Sequence, residues 1–450
     1  MSRIAVVGTG YVGLTTGAYL AHLGHEVVCA DVVPSKVERL NRGELPIVEE
    51  GLGELVIEGL AERRLSFVLG AANAVPGAEF VFLCLPTPQG ADGAADLTFL
   101  LAAAGEIADH LESGAVVINK STVPVGSAAL VAQTLGRDDV SVVSNPEFLR
   151  EGTAVYDCLN PDRIVVGGDN REAVRRVAGL YDKLDAPVVL TDAASSEMIK
   201  YAANAFLATK LSFVNEIATL CERVGADIDN VVLGIGHDRR IGFEFLRPGP
   251  GWGGSCFPKD SRALVRIAED NDHDFRLLRS VIEANEGQFD ATTDKIVEMA
   301  GGSVAGKTIG VLGLAFKAGT DDLRDSPAIN VIQRLVAAGA KVQAYDPAVN
   351  HPVEGVEAMV DAYDVAMGAD VLAVLTEWPE FAELNLLKLK DLMKTPAMVD
   401  ARNLFPPALV VGLGFTYQGI GRNAPSVPAN VEFVRAFDRH NLDEDLESVA

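Results

Sequence analysis

Ile4-Ala5-Val6-Val7-Gly8-Thr9-Gly10-Tyr11-Val12-Gly13 lies near the start of this 450-residue chain, and its pattern decides the fold class. Four apolar residues read as a short buried strand, and three glycines follow at the spacing GxGxxG. In a strand–turn–helix setting each glycine has a separate reason. Gly8 makes the tight turn, Gly10 lets a pyrophosphate approach the backbone, and Gly13 lets helix and strand pack closely. The helix N-terminus then faces the phosphates with its dipole. A second apolar run, Val27–Ala30, ends in Asp31, 18 residues after Gly13. A carboxylate there accepts from a ribose 2′-hydroxyl and repels a 2′-phosphate, so NAD rather than NADP is the expected cofactor.

The same alternation continues outward. Apolar runs recur at Phe80–Leu85, Val116–Ile118, Val140–Val143, Ile164–Val166 and Val188–Leu190, with helical stretches such as Leu97–His110 and Glu172–Leu184 between them. Short apolar strands separated by helices predict a parallel sheet covered on both faces. From Ser195 the pattern changes. Ser195–Gly225 has no proline, and apolar residues recur at Ile199, Ala203, Phe206, Leu211, Val214, Ile217 and Leu220. With Ser195 or Ser196 as cap, Glu197 in the first turn and Gly225 as stop, this predicts a helix of about 30 residues, roughly 45 Å long. Further helical stretches at Ser261–Asp270 and Asp274–Met299 make the middle region all helical.

At Gly306 the alternation resumes, with strand Thr308–Leu312, helix Ser326–Ala338, strand Lys341–Tyr345 before Asp346, and later strands Val371–Leu375 and Ala397–Val399. The expected fold is therefore α/β. Two Rossmann-like doubly wound units, residues 1–194 and 305–450, are joined by a long-helix all-α region, residues 195–304. The second unit lacks the glycine motif, since Gly313 is followed by Leu314, Ala315, Phe316 and Lys317. It is expected to hold a nucleotide in another way, or none. The acidic end Asp443–Ala450 is expected to be disordered.

Composition narrows the partners. The chain has 38 Lys and Arg against 63 Asp and Glu, a formal charge of −25, with 48 % hydrophobic and 22 % charged residues. Those fractions are globular. The acidity argues against nucleic acid and against an anionic membrane surface. It leaves room for an anionic small molecule in one basic pocket. The five cysteines, Cys29, Cys84, Cys158, Cys221 and Cys256, are widely spaced with no CxxC, so neither a disulfide framework nor a metal site is expected. No apolar run reaches the roughly 18 residues of a membrane span, and the N-terminal run is too short for a signal peptide. A cytoplasmic protein is expected.

The most unusual stretch is Gly249-Pro250-Gly251-Trp252-Gly253-Gly254-Ser255-Cys256-Phe257-Pro258-Lys259-Asp260. So many glycines are at odds with a helix or strand and point to backbone lying against a ligand. Cys256 sits where this loop meets the next helix, a place that lowers a thiol pKa and raises its thiolate fraction. Lys200 or Lys259 would add to that. The other four cysteines read as inert core. Lys200 and Asn204 are four apart and share one helix face, among small residues. If buried, the pair needs partners; otherwise it is a solvated stripe. Asp260, four after Cys256, is placed to pair with Lys200.

Five blocks carry a family resemblance: GTGYVG at Gly8–Gly13, SNPEFLRE at Ser144–Glu151, KYAANAFLATK at Lys200–Lys210, GWGGSCFPKD at Gly251–Asp260 and FKAGTDDLRDSP at Phe316–Pro327. In this order, and over the chain from Met1 to about Asn423, they resemble the nucleotide-sugar 6-dehydrogenases, the UDP-glucose/GDP-mannose dehydrogenase family. The GWGGSCFPKD form is more similar to the UDP-glucose branch than to the acetamido-sugar branches. The resemblance implies a four-electron oxidation of a sugar C6 alcohol to a carboxylate with two NAD, and UDP-glucose as substrate. GDP-mannose is the alternative. Local variants at Pro86 and at Arg247-Pro248-Gly249-Pro250 depart from the family's loops; the catalytic positions match.

Carried over by residue, Cys256 would be the nucleophile, forming a thiohemiacetal and then a thioester. Lys200 and Asn204 would stabilise oxyanions, Lys200 also taking the alcohol proton. Asp260 would hold Lys200 and a water, Glu147 would assist thioester hydrolysis with a pKa tuned near the operating pH, and Thr122 would position the water. Glu147, Phe148, Leu149, Arg150, Glu151, Lys200, Asn204, Phe245, Leu246, Arg247, Gly249, Gly251, Trp252, Gly253, Cys256, Phe316, Lys317 and Arg402 would hold the UDP-sugar, with Arg240 reaching across a homodimer interface built on the long helix. Gly8, Gly10, Tyr11, Val12, Gly13, Asp31, Lys36, Thr87, Ser121, Thr122, Glu151 and Arg324 would form the NAD site. Two other readings are weighed against this one. A two-electron β-hydroxyacid dehydrogenase would share the dinucleotide unit and a Lys/Asn pair but would not need Cys256 or the second α/β unit. A non-catalytic sensor would not need Lys200, Asn204, Cys256 and Asp260 together.

Overall fold

A computed structural model describes residues 1–90 and 93–422; the acidic end Asp443–Ala450 lies outside the described residues. Eight strands build the first sheet. They are β1 (Arg3–Val7), β2 (Glu26–Asp31), β3 (Leu65–Leu69), β4 (Phe80–Leu83), β5 (Val116–Asn119), β6 (Ser141–Ser144), β7 (Ile164–Gly167) and β8 (Val188–Thr191), in the order β3-β2-β1-β4-β5-β6-β7-β8. Strands β1, β4 and β5 lie in the interior of the sheet, and nearly every residue in them is buried. That is why they read as unbroken apolar runs, without the alternation of a half-exposed strand. At the edges the pattern weakens. Strand β3, LSFVL, has only two buried side chains and no long apolar run, so periodicity overlooks it. The sheet is also not wholly parallel, because β7 meets β6 antiparallel through Ser144 and Gly167. The chain leaves β6 through a loop and the short helix Ala154–Leu159 and comes back in the opposite direction.

The second sheet is six-stranded and parallel throughout: β9 (Thr308–Leu312), β10 (Lys341–Tyr345), β11 (Val356–Ala358), β12 (Val371–Val374), β13 (Ala397–Asp400) and β14 (Thr416–Gly419), ordered β11-β10-β9-β12-β13-β14. Short, exposed β11 carried no sequence signal. Each sheet reverses its strand order at its first strand, β1 in one and β9 in the other. The crevice beyond the carboxyl ends of such strands is where this architecture takes ligands.

Between the sheets lie the long helix Ala193–Val224, 32 residues, and the helices Ile228–Gly236, Phe257–Asp270 and Arg276–Met299. The long helix starts two residues earlier than expected. Asp192 is its cap, accepting from Ser195 N at 2.7 Å, so neither Ser195 nor Ser196 serves. Gly225 ends it with φ 77°. Among the described residues no helix is long and apolar enough to cross a membrane.

Candidate active site

The glycine turn is built as its spacing predicts. Gly8 has φ 95°, and a Cβ there would lie 2.4 Å from the Cys84 carbonyl oxygen. A Cβ on Gly13 would lie 1.9 Å from the Gly8 carbonyl oxygen, whereas one on Gly10 would meet nothing within 4 Å. Gly8 and Gly13 are thus required by packing, and Gly10 borders open space where a pyrophosphate fits. The helix that follows, Tyr11–His22, has no side chain capping its first N–H groups, which leaves them for an anion. At the end of β2, Asp31 accepts from Thr9 N at 3.2 Å, Lys36 Nζ at 2.9 Å and Val33 N at 3.1 Å. Burial opposes the charge on Asp31, but Thr9, Lys36 and Val33 outweigh it and hold the carboxyl below its ordinary range. These features fit NAD. Thr87, Ser121 and Thr122 border the same crevice at the ends of β4 and β5. Thr87 Oγ1 donates to Thr122 O at 2.8 Å, and Ser121 Oγ accepts from Leu85 N at 2.8 Å.

Tyr11 brings in a residue that sequence reasoning missed. Its hydroxyl bonds the buried Glu49, and Gly152 N donates to both, at 2.9 Å to Tyr11 and 2.7 Å to Glu49. Ala154 N donates to the other Glu49 oxygen at 2.6 Å. Glu49 therefore ties the dinucleotide helix to the Ser144–Glu151 segment. Nothing in the local sequence separates it from its exposed neighbour Glu50.

The chemical cluster forms where that segment meets the long helix and the glycine loop. Lys200 and Asn204 are only 3 % and 5 % exposed, which rules out a solvated stripe. Lys200 Nζ lies 2.8 Å from Glu147 Oε1, and the other Glu147 oxygen accepts from Leu149 N at 2.6 Å. Asn204 Nδ2 donates to Asp260 Oδ2 at 2.6 Å, and Asp260 Oδ1 takes Lys259 Nζ at 2.6 Å. The expected Lys200–Asp260 pair is thus corrected. Asp260, one turn beyond Cys256, faces the Asn204 turn of the long helix, and Glu147 of the first unit reaches Lys200.

The electrostatics correct two further expectations. Burial works against the Lys200 charge, yet Glu147, Cys256 and Asp260 hold its pKa above the ordinary lysine value. Burial likewise opposes the Glu147 charge, but Lys200 wins and the carboxyl stays below its usual range. Glu147 is an anion at rest, not a group tuned near neutrality. Cys256 stands at the N-cap position of the helix Phe257–Asp270, without a side-chain cap bond, and keeps partial solvent access. Burial of its sulfur pushes the thiol up, and Lys200 recovers only part of that. The thiol pKa is thus raised rather than depressed as expected, desolvation being the largest cause. The other four cysteines are buried, as expected.

Close packing is one reason for the composition of the glycine loop. A Cβ on Gly251 would lie 2.5 Å from the Phe289 ring, one on Gly253 1.9 Å from the Asp325 carbonyl oxygen, and one on Gly254 2.8 Å from the Phe316 ring. Trp252 is held through its N–H and C=O by Asn285, and Gly249 by Asn215 and Gln288. Glu151 joins all three regions. It accepts from Ser255 Oγ at 2.7 Å and lies 3.5 Å from Arg324, which also pairs with Asp322 at 2.8 Å. Burial, with Asp322 nearby, raises the Glu151 pKa. Arg402 donates to Phe316 O at 2.8 Å, and burial lowers the pKa of Lys317.

Some expected ligands stand apart. Arg240 is exposed and spends its guanidinium on Asp238 at 2.6 Å, with no contact to the cluster within one chain. Arg150 is taken by Asp157 at 2.6 Å. The Leu246 side chain belongs to the core of the second unit, and Phe245 has φ 60°. Besides Glu49, sequence reasoning missed Lys120, buried and bonded to Asn145, and Arg163, stacked on Phe148. It also missed Glu197 as a cross-link, since its carboxylate caps the helix Ser127–Leu135 through Gly126 N and Ala128 N.

Three domain profiles described as the UDP-glucose/GDP-mannose dehydrogenase family match the chain. The NAD binding domain matches residues 2–185, the central domain 194–287 and the UDP binding domain 310–407. The chain belongs to the UDP-glucose/GDP-mannose dehydrogenase family. It is an NAD-dependent oxidoreductase of that family. UDP-glucose 6-dehydrogenase TuaD of Bacillus subtilis is 46 % identical over 434 residues, covering 94 % of both chains. UDP-glucose 6-dehydrogenase of Rhizobium meliloti is 46 % identical over 434 residues, covering 93 % of this chain and 99 % of its own. Among solved structures, a UDP-glucose dehydrogenase from the hyperthermophilic archaeon Pyrobaculum islandicum superposes with a TM-score of 0.87 at 35 % identity, over 94 % of this chain and 98 % of its own. The family's three domain descriptions fall on the two sheets and the helical region between them.

Proposed function

We propose that this family member oxidises UDP-glucose at C6 to UDP-glucuronate through a covalent intermediate on Cys256. The single observation that carries the reading is the buried pair of contacts Lys200–Glu147 and Asn204–Asp260 beside Cys256, at the meeting of the three regions. We assign residues 1–194 to NAD, 195–304 to catalysis and dimerisation, and 305–450 to the UDP-sugar. NAD, held by the Gly8–Gly13 turn, Asp31, Lys36, Thr87, Ser121, Thr122, Glu151 and Arg324, supplies a hydride acceptor for each of two oxidations.

The chain's own groups handle protons and carbonyl chemistry. As the alcohol is oxidised, its proton moves onto Lys200 while Lys200 passes one to the ionised Glu147 across their 2.8 Å contact. The Cys256 thiol then adds to the C6 aldehyde. Sulfur bonds carbon, and the thiol proton ends on oxygen, giving a thiohemiacetal. The second oxidation removes the C6 hydrogen as hydride and the hydroxyl proton, leaving a thioester. Water adds to it beside Thr122 and Asp260, the C–S bond breaks, and the acid leaves with Cys256 restored as a thiol. Lys200 and Asn204 donate to the oxyanion at both additions, a stabilisation of roughly 3–4 kcal/mol in comparable sites. Phe148–Glu151, Arg247–Gly253, Phe316, Lys317 and Arg402 line the sugar-nucleotide side.

We further assign a homodimer through the long helix. Phe206, Phe213 and Leu220 stand seven residues apart on it, 65 %, 53 % and 52 % exposed, and a second copy would cover them and bring Arg240 across. Wide spacing of the five cysteines, with no CxxC among them, favours a reducing, cytoplasmic setting. The test is a panel of nucleotide sugars with NADH counted per sugar oxidised. Two NADH for each UDP-glucose supports the reading, and one overturns it.

A further inference from the structure

Arg163 stands directly before β7, at the end of the loop that returns from the Ser144–Glu151 segment. Its guanidinium carbon lies 3.6 Å from the centroid of the Phe148 ring. At that distance the cation must sit over the ring face, since an approach at the edge would collide with ring carbons. Lys200 Nζ lies 5.4 Å from the same centroid. Both are inside the roughly 6 Å reach of a cation–π contact. Among the described residues no carboxylate or carbonyl bonds the Arg163 guanidinium, and the charges that act on it are those of Asp162 and Glu147. Most other arginines near this site are committed elsewhere: Arg150 to Asp157, Arg324 to Asp322, Arg402 to Leu375 and Phe316. Arg163 has one partner, and it is an aromatic ring.

That ring occupies a sensitive position. Phe148 lies between Glu147, whose carboxylate meets Lys200, and Leu149, whose N–H closes back on the same carboxylate at 2.6 Å. Phe148 shares its two flanking peptide groups with Glu147 and Leu149, so the stack on its ring and the Leu149–Glu147 bond bear on one short turn. Arginine suits the task because its guanidinium is flat, permanently charged and weakly hydrated, so it stacks where a lysine ammonium would seek water.

We propose that Arg163 is a positioning residue for the oxidation: stacked on Phe148, it fixes the Glu147–Leu149 turn and keeps the Glu147 carboxylate on Lys200. The proposal rests on the reading that Glu147 and Lys200 carry the proton chemistry.

The test compares Arg163→Met and Arg163→Lys with the parent in steady-state kinetics, thermal unfolding and a crystal structure. Methionine keeps the apolar stem and removes the charged plane. It should lower kcat with UDP-glucose about tenfold, which corresponds to about 1.4 kcal/mol. KM for NAD should hold, because the Gly8–Gly13 turn does not touch Arg163. Lysine should restore part of the lost kcat. Parental kcat in Arg163→Met overturns the proposal. So does a loss shared equally by kcat, KM for NAD and unfolding temperature with no rescue by lysine, the mark of a merely structural residue. If UDP-glucose proves not to be the substrate, the crystal structure still decides. Phe148 in a new rotamer, with Glu147 moved off Lys200, supports positioning, and an unchanged Glu147–Lys200 contact refutes it.

Discussion

Replacing Lys200 by methionine removes the cation from a pair whose side chains are 4 % and 6 % exposed. Nothing else in the cluster takes its place. Glu147 keeps one hydrogen bond from Leu149 N, with Lys120 the next cation acting on it. Breaking a buried pair from one side costs about 3–5 kcal/mol, because an uncompensated charge remains in a low-dielectric site. The pH dependence reverses as well. In the parent, Glu147 has a folded pKa below the ordinary carboxylate value of about 4.3, so its contribution is present above that value and fades as pH falls through the folded one. In Lys200→Met burial dominates and places the folded pKa above that value. The carboxyl is then tolerated when protonated and becomes costly as pH rises. Thermal unfolding of the parent, Lys200→Met, Glu147→Gln and the double variant at pH 5 and 8 measures this. The deficit of Lys200→Met should be larger at pH 8 than at pH 5. The double variant, which leaves no charge alone, should recover most of it. A Lys200→Met protein as stable as the parent at pH 8, or a double variant no better than the worse single one, refutes the reasoning.

Three more outcomes are expected. Cys256→Ser should keep the fold and NAD binding while accumulating no acid, measured by product analysis; full acid formation there sinks the covalent route. Asp31→Asn should weaken NAD binding by about 10- to 100-fold, from the 1.5–3 kcal/mol of a charge-assisted bond, and narrow the preference over NADP; calorimetry with both dinucleotides decides, and unchanged NAD affinity rules Asp31 out as the ribose ligand. Glu151→Gln should stabilise the protein above the ordinary carboxylate range and not below it. Burial and Asp322 raise the folded pKa of Glu151, so its charge costs stability as pH rises. A gain of equal size at pH 4 and pH 7 would contradict that cause.

Much of the site was legible because its parts are local. The GxGxxG turn, Asp31 at the end of β2 and the four-residue spacing of Lys200 and Asn204 need only neighbours in the chain. Pairing was not legible. Asp260, four residues after Cys256, is the partner that the sequence offers Lys200, yet the structure gives Glu147, 53 residues away in sequence. Glu49 shows the same limit from the other side, since its value lies in Tyr11, Gly152 and Ala154. The raised pKa of the Cys256 thiol is not legible either, because a helix start can be read from sequence and desolvation cannot. That the glycines of residues 251–254 also make room for Phe289, Asp325 and Phe316 is not legible, because no local rule names those neighbours.

The second unit repeats the first at the backbone level. Gly313 has φ 95°, as Gly8 does, and Asp346 directly follows β10 where Asp31 is the last residue of β2. Yet Asp346 is 5 % exposed and already accepts from Leu314 N, Ala315 N and Trp378 Nε1. These bonds tie the end of that strand to the Leu314–Ala315 turn and to Trp378.

The sequence by itself determined the strand–helix alternation, the long helix, the dinucleotide turn and the list of reactive side chains. Hydrophobic period, glycine spacing and capping are short-range properties. Only the tertiary structure decided which charges meet, which are buried and which groups hold protons, because Coulomb energy and desolvation depend on distances and surroundings that no run of neighbouring residues contains.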